Sequence, residues 1–283
     1  MEAEGQVAIV TGAGAGLGRA EALALAARGA SVVVNDIGQS ASAVVDEIEA
    51  AGGKALLVTG DVSERATADA LVAAAREHFG GLHVLVNNAG VLRDRMVFSM
   101  SDEDWDTVIR VHLRGHFLLS RNVTAYWREQ SKAEGRPLGG RVINTASEAF
   151  LFGSPGQANY ASAKAGIVAL TVATARGCAR YGVRANAICP RARTAMTAPV
   201  FGDAPSEGTD PLSVDHVAPF VAFLASPEAG HINGQVFVVH GGRVALVRPP
   251  SPGPVWNLGE LGEAAAYFEE HDAMFAADEG DFL

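Results

Sequence analysis

The sequence TGAGAGLG, residues 11–18, joins an apolar strand-like run at 6–11 to a helical pattern at 17–29. Glycine permits the tight turn that this junction needs, and its missing side chain lets the backbone approach a pyrophosphate. The free N–H groups at the start of the helix can then bind phosphate oxygens. Glycine-rich turns also occur for other reasons, but the position between the first strand and the first helix favours a dinucleotide site. The candidate cofactor contacts are Gly12, Gly14, Gly16, Leu17 and Gly18.

Short apolar runs alternate with longer helical patterns along most of the remaining chain. The runs are apolar on both faces, which is typical of strands buried between two helical layers in a parallel sheet. This alternation predicts an α/β fold, a Rossmann-type doubly wound parallel sheet with helices on both faces. Seven strands are predicted, at 6–11, 31–35, 55–59, 84–87, 141–145, 184–189 and 236–240. Helices are predicted near 17–29, 40–51, 64–79, 102–128, 157–181 and 214–225.

The length of 283 residues suits one large domain with an appendage better than two equal domains. Residues 1–247 are predicted to form the Rossmann domain, and RPPSPGP at 248–254 opens a C-terminal extension that covers 248–283. Within the domain, residues 191–212 are rich in Gly, Pro and small polar residues and lack periodicity. Long ordered loops in compact domains usually act as lids or binding loops, so we expect a lid over the site.

Composition excludes several classes of protein. The formal net charge of −10 argues against nucleic acid as the main partner, because backbone binding needs a Lys/Arg footprint. No stretch approaches the roughly 18 uninterrupted apolar residues of a membrane span, and the acidic start MEAEGQ does not resemble a secretory leader. Cys178 and Cys189 form no disulfide framework, which is consistent with a cytoplasmic location. His112 and His116 lie four residues apart without an evident third ligand, so no metal site is predicted.

The second predicted strand ends in VVVND, and Asp36 lies 18 residues after Gly18. An acidic residue about 20 positions beyond the glycine turn binds the adenosine ribose hydroxyls in NAD sites. A carboxylate there repels the 2′-phosphate of NADP, and neither Ile37 nor Ala15 supplies a positive charge that would attract it. The alternative is an aspartate that serves only a turn. The sequence therefore favours NAD as the cofactor.

Tyr160 and Lys164 lie four residues apart in a predicted helix, so both project from one face. An ammonium next to a phenol favours the phenolate, so we expect the tyrosine pKa to fall from about 10 toward the working pH. Such a tyrosine exchanges a proton with an alcohol or carbonyl oxygen while hydride moves to or from nicotinamide. Ser147 closes the fifth predicted strand, where a hydroxyl faces the ligand crevice and can hydrogen-bond to the reacting oxygen.

In this order, these motifs resemble those of the short-chain dehydrogenase/reductase family, from about residue 5 to 245. The resemblance rests on the glycine turn, the dipeptide Asp61-Val62, the sequence NNAG at 87–90 and the trio Ser147, Tyr160 and Lys164. It implies that Ser147 orients the substrate, that Tyr160 is the acid/base, and that Lys164 tunes Tyr160 and binds the nicotinamide ribose.

The same resemblance supplies further cofactor contacts. It implies that Asp61 and Val62 lie near the adenine, and that Asn88, Ala89 and Gly90 lie against the cofactor. A small-molecule substrate is implied, and homo-oligomers, dimers or tetramers, are the rule in the family.

A narrower likeness is to the (3R)-hydroxyacyl-CoA dehydrogenase part of multifunctional enzyme type 2. It rests on the sequences TGAGAGLGRA, VVVND, NNAGVLRDR, SDEDWD, VHLRG and GQANYASAK. This branch implies NAD-dependent oxidation of a secondary alcohol, with a 3-hydroxyacyl thioester as the best single substrate. Alternatives are a 3-oxoacyl-carrier-protein reductase, a steroid or terpene alcohol dehydrogenase, and a non-catalytic dinucleotide-binding scaffold or sensor.

Two positions depart from the wider family. His112 stands where the family usually has a catalytic asparagine, so it either lines the proton path or is a hydrogen-bonded structural histidine. The usual Pro-Gly turn after the sixth strand is Pro190-Arg191, with Thr194 four residues beyond Pro190. In the common pattern a threonine one residue later contacts the nicotinamide carboxamide. In this chain the resemblance implies that contact for Thr194, and Pro190 is a further candidate cofactor contact.

Two surfaces are predicted to pack against something else. Small residues at helical spacing lie opposite Tyr160 and Lys164 on the same helix, and they favour a close helix–helix contact between subunits. They are Ala158, Ser162, Ala165, Gly166, Ala169 and Ala173. In the extension, the residues at helical spacing predict a short helix that is docked on the body or on a neighbouring subunit. They are Leu258, Leu261, Ala265 and Phe268.

Overall fold

Eight strands form one sheet in the computed structural model, which describes Ala3 and residues 5–250 and 252–270. The strands are β1 (Val7–Thr11), β2 (Ser31–Asp36), β3 (Lys54–Thr59), β4 (Val84–Asn87), β5 (Arg141–Thr145), β6 (Arg184–Pro190), β7 (Val236–His240) and β8 (Arg243–Leu246). Their order across the sheet is β3-β2-β1-β4-β5-β6-β7-β8. All neighbours pair in parallel except β7 and β8, which are antiparallel.

Helices pack on both faces of this sheet, and others lie in the lid and in the C-terminal extension. They are α1 (Gly16–Ala26), α2 (Ser42–Ala50), α3 (Arg65–Phe79), α4 (Asp102–Ile109), α5 (Gly115–Glu134), α6 (Ala149–Phe152), α7 (Ala158–Cys178), α8 (Ala198–Phe201), α9 (Ala218–Ala225) and α10 (Leu261–Glu270). One apolar layer joins β1 and β2 to α1, α2 and α9, and a second joins the opposite face to α3 and α5. Every residue of β1, β4 and β5 is buried, as expected of strands between two layers.

The doubly wound parallel sheet predicted from the sequence is confirmed, and three details differ. The four-residue strand β8 was not predicted, because it is too short to show a pattern and follows two glycines at 241–242. The single helix predicted at 102–128 is two helices joined by one π-helical turn at Arg110–Arg114. The loop at 191–212 contains the one-turn helix α8. Among the described residues, no helix has the length and apolar character needed to cross a membrane.

The C-terminal extension forms the predicted helix, α10, but not the predicted docking on its own subunit. Trp256 packs its ring against those of Tyr267 and Phe268, with centroid distances of 5.4 and 6.0 Å. The apolar stripe faces outward, and Leu261 and Phe268 are 62% and 58% exposed. Docking on the same subunit is therefore wrong, and docking on a neighbouring subunit stays a prediction. Residues 271–283, the acidic end of this extension, lie outside the described residues.

The helix α1 carries an unusual buried acid, Glu21. Its side chain is fully buried, and neither carboxylate oxygen has a hydrogen-bond partner among the described residues. Burial raises the pKa of Glu21 from 4.5 to about 8, so the folded protein holds this group protonated at neutral pH.

Glu21→Gln is expected to stabilise the protein at pH 8 by about 2–4 kcal/mol relative to wild type, and by much less at pH 5. Between pH 4.5 and 8 the unfolded chain ionises Glu21 while the folded chain retains the proton, so wild-type stability falls as pH rises. Glutamine carries no proton to lose, which removes this dependence. Urea denaturation of both proteins at pH 5 and pH 8 measures the difference. The exposed Glu49→Gln on α2 is the matched control, and an equal gain at both pH values would contradict the prediction.

Candidate active site

A cavity of about 380 Å³ lies at the carboxyl ends of the central strands. In the order β3-β2-β1-β4-β5, successive strands are added on one side of β1 as far as β3 and on the other side from β4 onward. Doubly wound sheets bind their ligands at this point of reversal, between β1 and β4. The predicted site residues that line this cavity are Gly12, Gly16, Leu17, Asp36, Asp61, Val62, Asn88, Ala89, Gly90, His112, Ser147, Tyr160, Lys164, Pro190 and Thr194. Gly14 and Gly18 belong to the same turn. Gly14 lies against Asp36, and Gly18 lies against Gly12 and Asn88, which line the cavity.

The glycine turn between β1 and α1 is closed by contacts that leave no room for a side chain. Gly12 has a φ of +61°, and a Cβ there would lie 2.8 Å from the Cα of Ala89. A Cβ at Gly18 would collide with the carbonyl oxygen of Gly12 and with the side chain of Asn88. The glycines therefore bring the start of α1 close to the end of β4, and the backbone of the turn faces the cavity.

Asp36 ends β2 and is held by the backbone around it. Its Oδ2 accepts a hydrogen bond from the N–H of Gly14 at 2.9 Å, and its Oδ1 accepts one from the N–H of Ile37 at 2.7 Å. A Cβ at Gly14 would lie 2.8 Å from the same carboxylate oxygen. The carboxylate thus stands at the rim of the cavity in a fixed orientation, beside the glycine turn.

The sequence NNAG after β4 is tied to β1 through Thr11. The Oγ1 of Thr11 accepts hydrogen bonds from the N–H groups of Asn88 and Ala89, at 3.0 and 3.2 Å. The side chain of Asn88 donates to the carbonyls of Thr11 and Gly12, at 3.0 and 3.2 Å. Asn88 is therefore a brace that fixes the turn, and Thr11 is a supporting residue that the sequence reasoning missed.

Asp61 lies beyond β3 in a network of its own. It accepts hydrogen bonds from the N–H and the hydroxyl of Ser63, at 2.8 and 2.7 Å, and from Arg110 at 3.0 Å. Burial raises the pKa of Asp61, but the bonds from Ser63 and the charge of Arg110 outweigh burial and lower it below its usual range. Val62 is buried beside it and contacts Gly115.

Tyr160 and Lys164 project together from α7 toward the carboxyl end of β5. The Nζ of Lys164 donates a hydrogen bond to the carbonyl of Thr145 at 2.5 Å and lies 5.3 Å from the ring centroid of Tyr160. Ser147 follows β5, and its side chain lines the same cavity as Tyr160. The three predicted catalytic side chains therefore meet in one place.

Burial is the largest influence on the pKa values of Tyr160 and Lys164. Burial raises the pKa of Tyr160 to about 12, against a smaller lowering by the hydrogen bond with Ser147. Burial also lowers the pKa of Lys164 to about 7. The expectation that the lysine holds the tyrosine pKa below 10 is therefore wrong for the chain by itself, because both groups lose solvent together.

His112 lies in the π-helical turn between α4 and α5 and packs edge-on against Tyr160, with ring centroids 5.2 Å apart. Its Nε2 lies 3.0 Å from the amide nitrogen and 2.8 Å from the carbonyl oxygen of Val91, so it bonds to one of these groups according to its tautomer. Burial lowers its pKa to about 3, and the charge of Lys164 adds to this effect. A Cβ at Gly90 would collide with the same imidazole. Neutral His112 thus supports both Tyr160 and the segment 88–91.

Pro190 and Thr194 border the cavity on the lid side. Thr194 faces the glycine turn, since a Cβ at Gly16 would lie 3.3 Å from its methyl group. Its N–H is hydrogen-bonded to Thr197 Oγ1 at 2.8 Å, and Thr197 in turn donates to the carbonyl of Ala192 at 2.7 Å. Thr197 also lines the cavity and was not predicted as a site residue.

Two ion pairs around the lid were also missed, because their partners are far apart in the sequence. Glu148 and Arg191 form a bidentate pair with contacts of 2.6 and 2.7 Å. Arg193 and Asp210 pair at 3.0 Å, which joins the two ends of the lid. In the described part of the chain, no three His, Cys, Asp or Glu side chains gather as a metal site would require.

The profile of the family described as short chain dehydrogenase matches residues 6–204. The chain belongs to the short-chain dehydrogenase family. It is therefore an oxidoreductase that acts on CH–OH groups with a nicotinamide cofactor, as the sequence resemblance indicated.

Several members of the short-chain dehydrogenase family are similar to this chain in sequence or in structure. Hydroxyacyl-CoA dehydrogenase ChsB1 of Mycobacterium tuberculosis is 60% identical over 277 residues, which cover 92% of this chain and 87% of that protein. Peroxisomal multifunctional enzyme type 2 of Mus musculus is 40% identical over 255 residues, which cover 87% of this chain and 33% of that protein. The crystal structure of a short chain dehydrogenase from Mycobacterium avium superposes with a TM-score of 0.85 at 46% identity, covering 94% and 95% of the two chains. The narrower likeness to the hydroxyacyl-CoA dehydrogenases is thereby confirmed.

The cavity of this short-chain dehydrogenase fits a dinucleotide. The turn 12–18 offers backbone without side chains where a pyrophosphate would approach, and any Cβ at Gly12, Gly14 or Gly18 would collide with its surroundings. At one end Asp36 presents a fixed carboxylate, and at the other Tyr160 and Lys164 face the same cavity. When bound, the nicotinamide supplies the hydride acceptor, and its positive charge in the oxidised form favours the phenolate of a nearby tyrosine.

Proposed function

We propose that this protein is an NAD-dependent dehydrogenase that interconverts a 3-hydroxyacyl-CoA thioester and its 3-oxo form. The observation that carries the proposal is the meeting of Ser147, Tyr160 and Lys164 in the cavity that also contains the glycine turn. The substrate class is supported by the relatives, because the protein at 60% identity is named for hydroxyacyl-CoA.

Each side chain has a separate task in the proposed reaction. The phenol oxygen of Tyr160 removes the alcohol proton during oxidation and returns it during reduction. Ser147, which lines the same cavity as that phenol, orients the reacting oxygen. Lys164 stabilises the phenolate and binds the nicotinamide ribose, and His112 is assigned a supporting role behind Tyr160.

The remaining cofactor contacts are proposed from their position along the cavity. Gly12, Gly14, Gly16, Leu17 and Gly18 form the pyrophosphate turn, with Asn88, Ala89 and Gly90 opposite. Asp61 and Val62 border the adenine end, and Pro190 and Thr194 the nicotinamide end. NAD is favoured over NADP because Asp36 turns a carboxylate toward the ribose position, where a 2′-phosphate would be repelled.

Recognition of the CoA portion is proposed to involve Arg93 and Arg95. Both are exposed, and each donates a hydrogen bond only to a backbone carbonyl of the preceding residue, Leu92 or Asp94. Arg114 is not assigned this role, because its Nε donates to the carbonyl of Ser63 at 3.1 Å. The exposed Met96 and Met196 offer apolar surface near the cavity for the acyl part.

A substrate panel tests the proposal. Purified protein is mixed with NAD or NADP and with (3R)- and (3S)-hydroxyacyl-CoA, a simple secondary alcohol, a steroid alcohol and a terpene alcohol, and reduced cofactor is followed by absorbance. We expect the highest kcat/KM with a hydroxyacyl-CoA and NAD, and at least 10-fold weaker binding of NADP. A higher kcat/KM with NADP than with NAD would favour a 3-oxoacyl-carrier-protein reductase. Cofactor binding without turnover of any substrate would favour a non-catalytic scaffold.

The proposed arrangement in the cell follows from the same features. Residues 1–247 carry the site and 248–283 form an extension. Cys178 and Cys189 are both free, and we propose the reducing cytoplasm as the location.

A homo-oligomer is proposed through α7, where Ser162, Ala165, Ala169 and Ala173 form an exposed stripe of small residues.

Ala169→Arg is expected to reduce the oligomer to monomers of 29.3 kDa, because a long charged side chain prevents close approach of a second helix. Light scattering at micromolar concentration measures the mass of both proteins. Ala43→Arg, on the exposed face of α2, is the control and should leave the mass unchanged. A wild-type mass equal to one chain would contradict the proposed oligomer.

A further inference from the structure

The residue that replaces the usual glycine after β6 makes the best-formed ion pair near the site. Arg191 directs Nε to one oxygen of Glu148 at 2.6 Å and a terminal nitrogen to the other at 2.7 Å. The side chains of Glu148 and Arg191 are only 11% and 24% exposed. A bidentate pair with this little solvent is geometrically specific, unlike the solvated pairs of the protein surface.

Each partner is attached to a different part of the catalytic apparatus. Glu148 directly follows Ser147 and opens α6, where the amides of Leu151 and Phe152 donate to its carbonyl at 2.8 and 3.1 Å. The hydroxyl of Ser147 also accepts a bond from the amide of Ala149 at 3.2 Å. A displacement of Glu148 would therefore displace the Ser147 hydroxyl, which lines the same cavity as Tyr160.

Arg191 lies at the base of the lid. Its N–H donates to the carbonyl of Val239 at 3.0 Å, which fixes its backbone to β7. Pro190 before it and Ala192 after it both line the cavity. Two residues further, Arg193 begins the contacts that hold the lid, through Asp210 at 3.0 Å and the carbonyl of Phe201 at 2.6 Å. The pair therefore joins the Ser147 segment to the base of the lid.

We propose that Glu148 and Arg191 are positioning residues, whose ion pair holds the Ser147 hydroxyl and the lid base in the relative placement that alcohol oxidation requires. This inference rests on the proposed roles of Ser147 and Tyr160. Both partners are needed, because a single remaining charge in this half-buried place would seek solvent and pull its segment with it. The other titratable groups coupled to the pair are Cys189 on β6 and His240 on β7, whose ionisations the pair influences.

The test compares Glu148→Gln, Arg191→Met, the double variant and Arg191→Lys with wild type, on whichever secondary alcohol wild type oxidises best. We expect each single loss to lower kcat about 10- to 50-fold, because small misplacements of a reacting group are costly. The NAD dissociation constant should stay within about 3-fold, since the glycine turn and Asp36 are untouched. The double variant should be no worse than the poorer single variant, because the two residues act as one unit. Lysine at 191 retains charge but not the bidentate fork, and should recover part of the activity.

Hydrogen exchange gives a second readout that needs no turnover. The amides of 149–152, which bond to Ser147 and Glu148, should exchange faster in Glu148→Gln and Arg191→Met than in wild type. Arg136→Met is the matched control, since it removes a solvent-exposed pair with Glu134 at the far end of α5. It should change neither kcat nor exchange at 149–152.

The outcomes separate this inference from the proposed function. A kcat within 2-fold of wild type in both single variants, or unchanged exchange at 149–152, would overturn the positioning role. A parallel fall of kcat, NAD affinity and melting temperature would also overturn it, because the pair would then serve only the fold. Tyr160→Phe is measured alongside: if that variant remains active the proposed site itself fails, whereas its inactivity beside active pair variants rejects the inference alone.

Discussion

Tyr160→Phe is expected to lower kcat by about 10²–10⁴ while NAD binds within about 3-fold of its wild-type affinity. The Tyr160 phenol lines the same cavity as Ser147 and its ring packs against His112, and phenylalanine keeps the ring while removing the proton-transfer atom. Since burial raises the phenol pKa to about 12, oxidation should accelerate as pH increases in wild type. The variant should lose this dependence.

Initial rates from pH 6 to 10 and an NAD titration by fluorescence measure both effects. Tyr181→Phe removes the phenol of a half-buried tyrosine after α7, which bonds to Arg128 outside the cavity, and is the matched control with unchanged kcat expected. Retention of more than about a tenth of wild-type kcat by Tyr160→Phe would remove this tyrosine from the mechanism.

Lys164→Met is expected to lower kcat/KM by about 10²–10³ and, at the same time, to raise the melting temperature at neutral pH. The activity falls because the ammonium form of Lys164, whose Nζ lies 5.3 Å from the Tyr160 ring centroid, is proposed to stabilise the phenolate and to bind the nicotinamide ribose, and methionine does neither. The stability increases because the lysine is almost fully buried with one hydrogen bond to the carbonyl of Thr145, and methionine fills the same volume without a charge.

The sign of the pH effect follows from the lysine pKa. Burial lowers it from 10.5 to about 7, so between these values the unfolded chain holds a proton that the folded chain has released. Wild-type stability therefore rises with pH over this interval, and the advantage of Lys164→Met should be largest below pH 7. Thermal unfolding at pH 6 and pH 10 checks it against the exposed Lys132→Met. A melting temperature of Lys164→Met below that of wild type at pH 6 would contradict the expected gain in stability.

The parts of the site that could be predicted from the sequence are those that depend on short, local patterns of residues. The turn 11–18, the acid at Asp36, and the helical pair Tyr160 and Lys164 each depend on spacing within one or two elements. A parallel sheet then brings these elements together, because the carboxyl ends of its strands share one edge. The fold and the meeting of Ser147 with Tyr160 follow from that geometry.

The features that escaped prediction depend on distant partners or on burial. Glu148 and Arg191 meet only because β5 and β6 are neighbours in the sheet, and neither residue type indicates an ion pair by itself. The raised pKa of Tyr160 required knowing how deeply α7 is covered. The outward stripe of α10 has the same helical spacing as a buried one, so its pattern could not tell which surface covers it.

The π-helical turn at Arg110–Arg114 sets the rotational phase of everything that follows it in α5. A π turn holds about one residue more than an α turn, and each residue of an α-helix corresponds to a rotation of about 100°. Because the π turn still completes one full circle, it accommodates its extra residue without rotating α5, whereas inserting one further residue within 110–114 would rotate α5 by about 100° relative to α4. Leu118, Val123 and Trp127, now fully buried, would leave the core together, and His116 would leave its place near Lys164. Insertions at this turn therefore act on the register of a whole helix, so natural variation in the short-chain dehydrogenases should replace its residues far more readily than lengthen it.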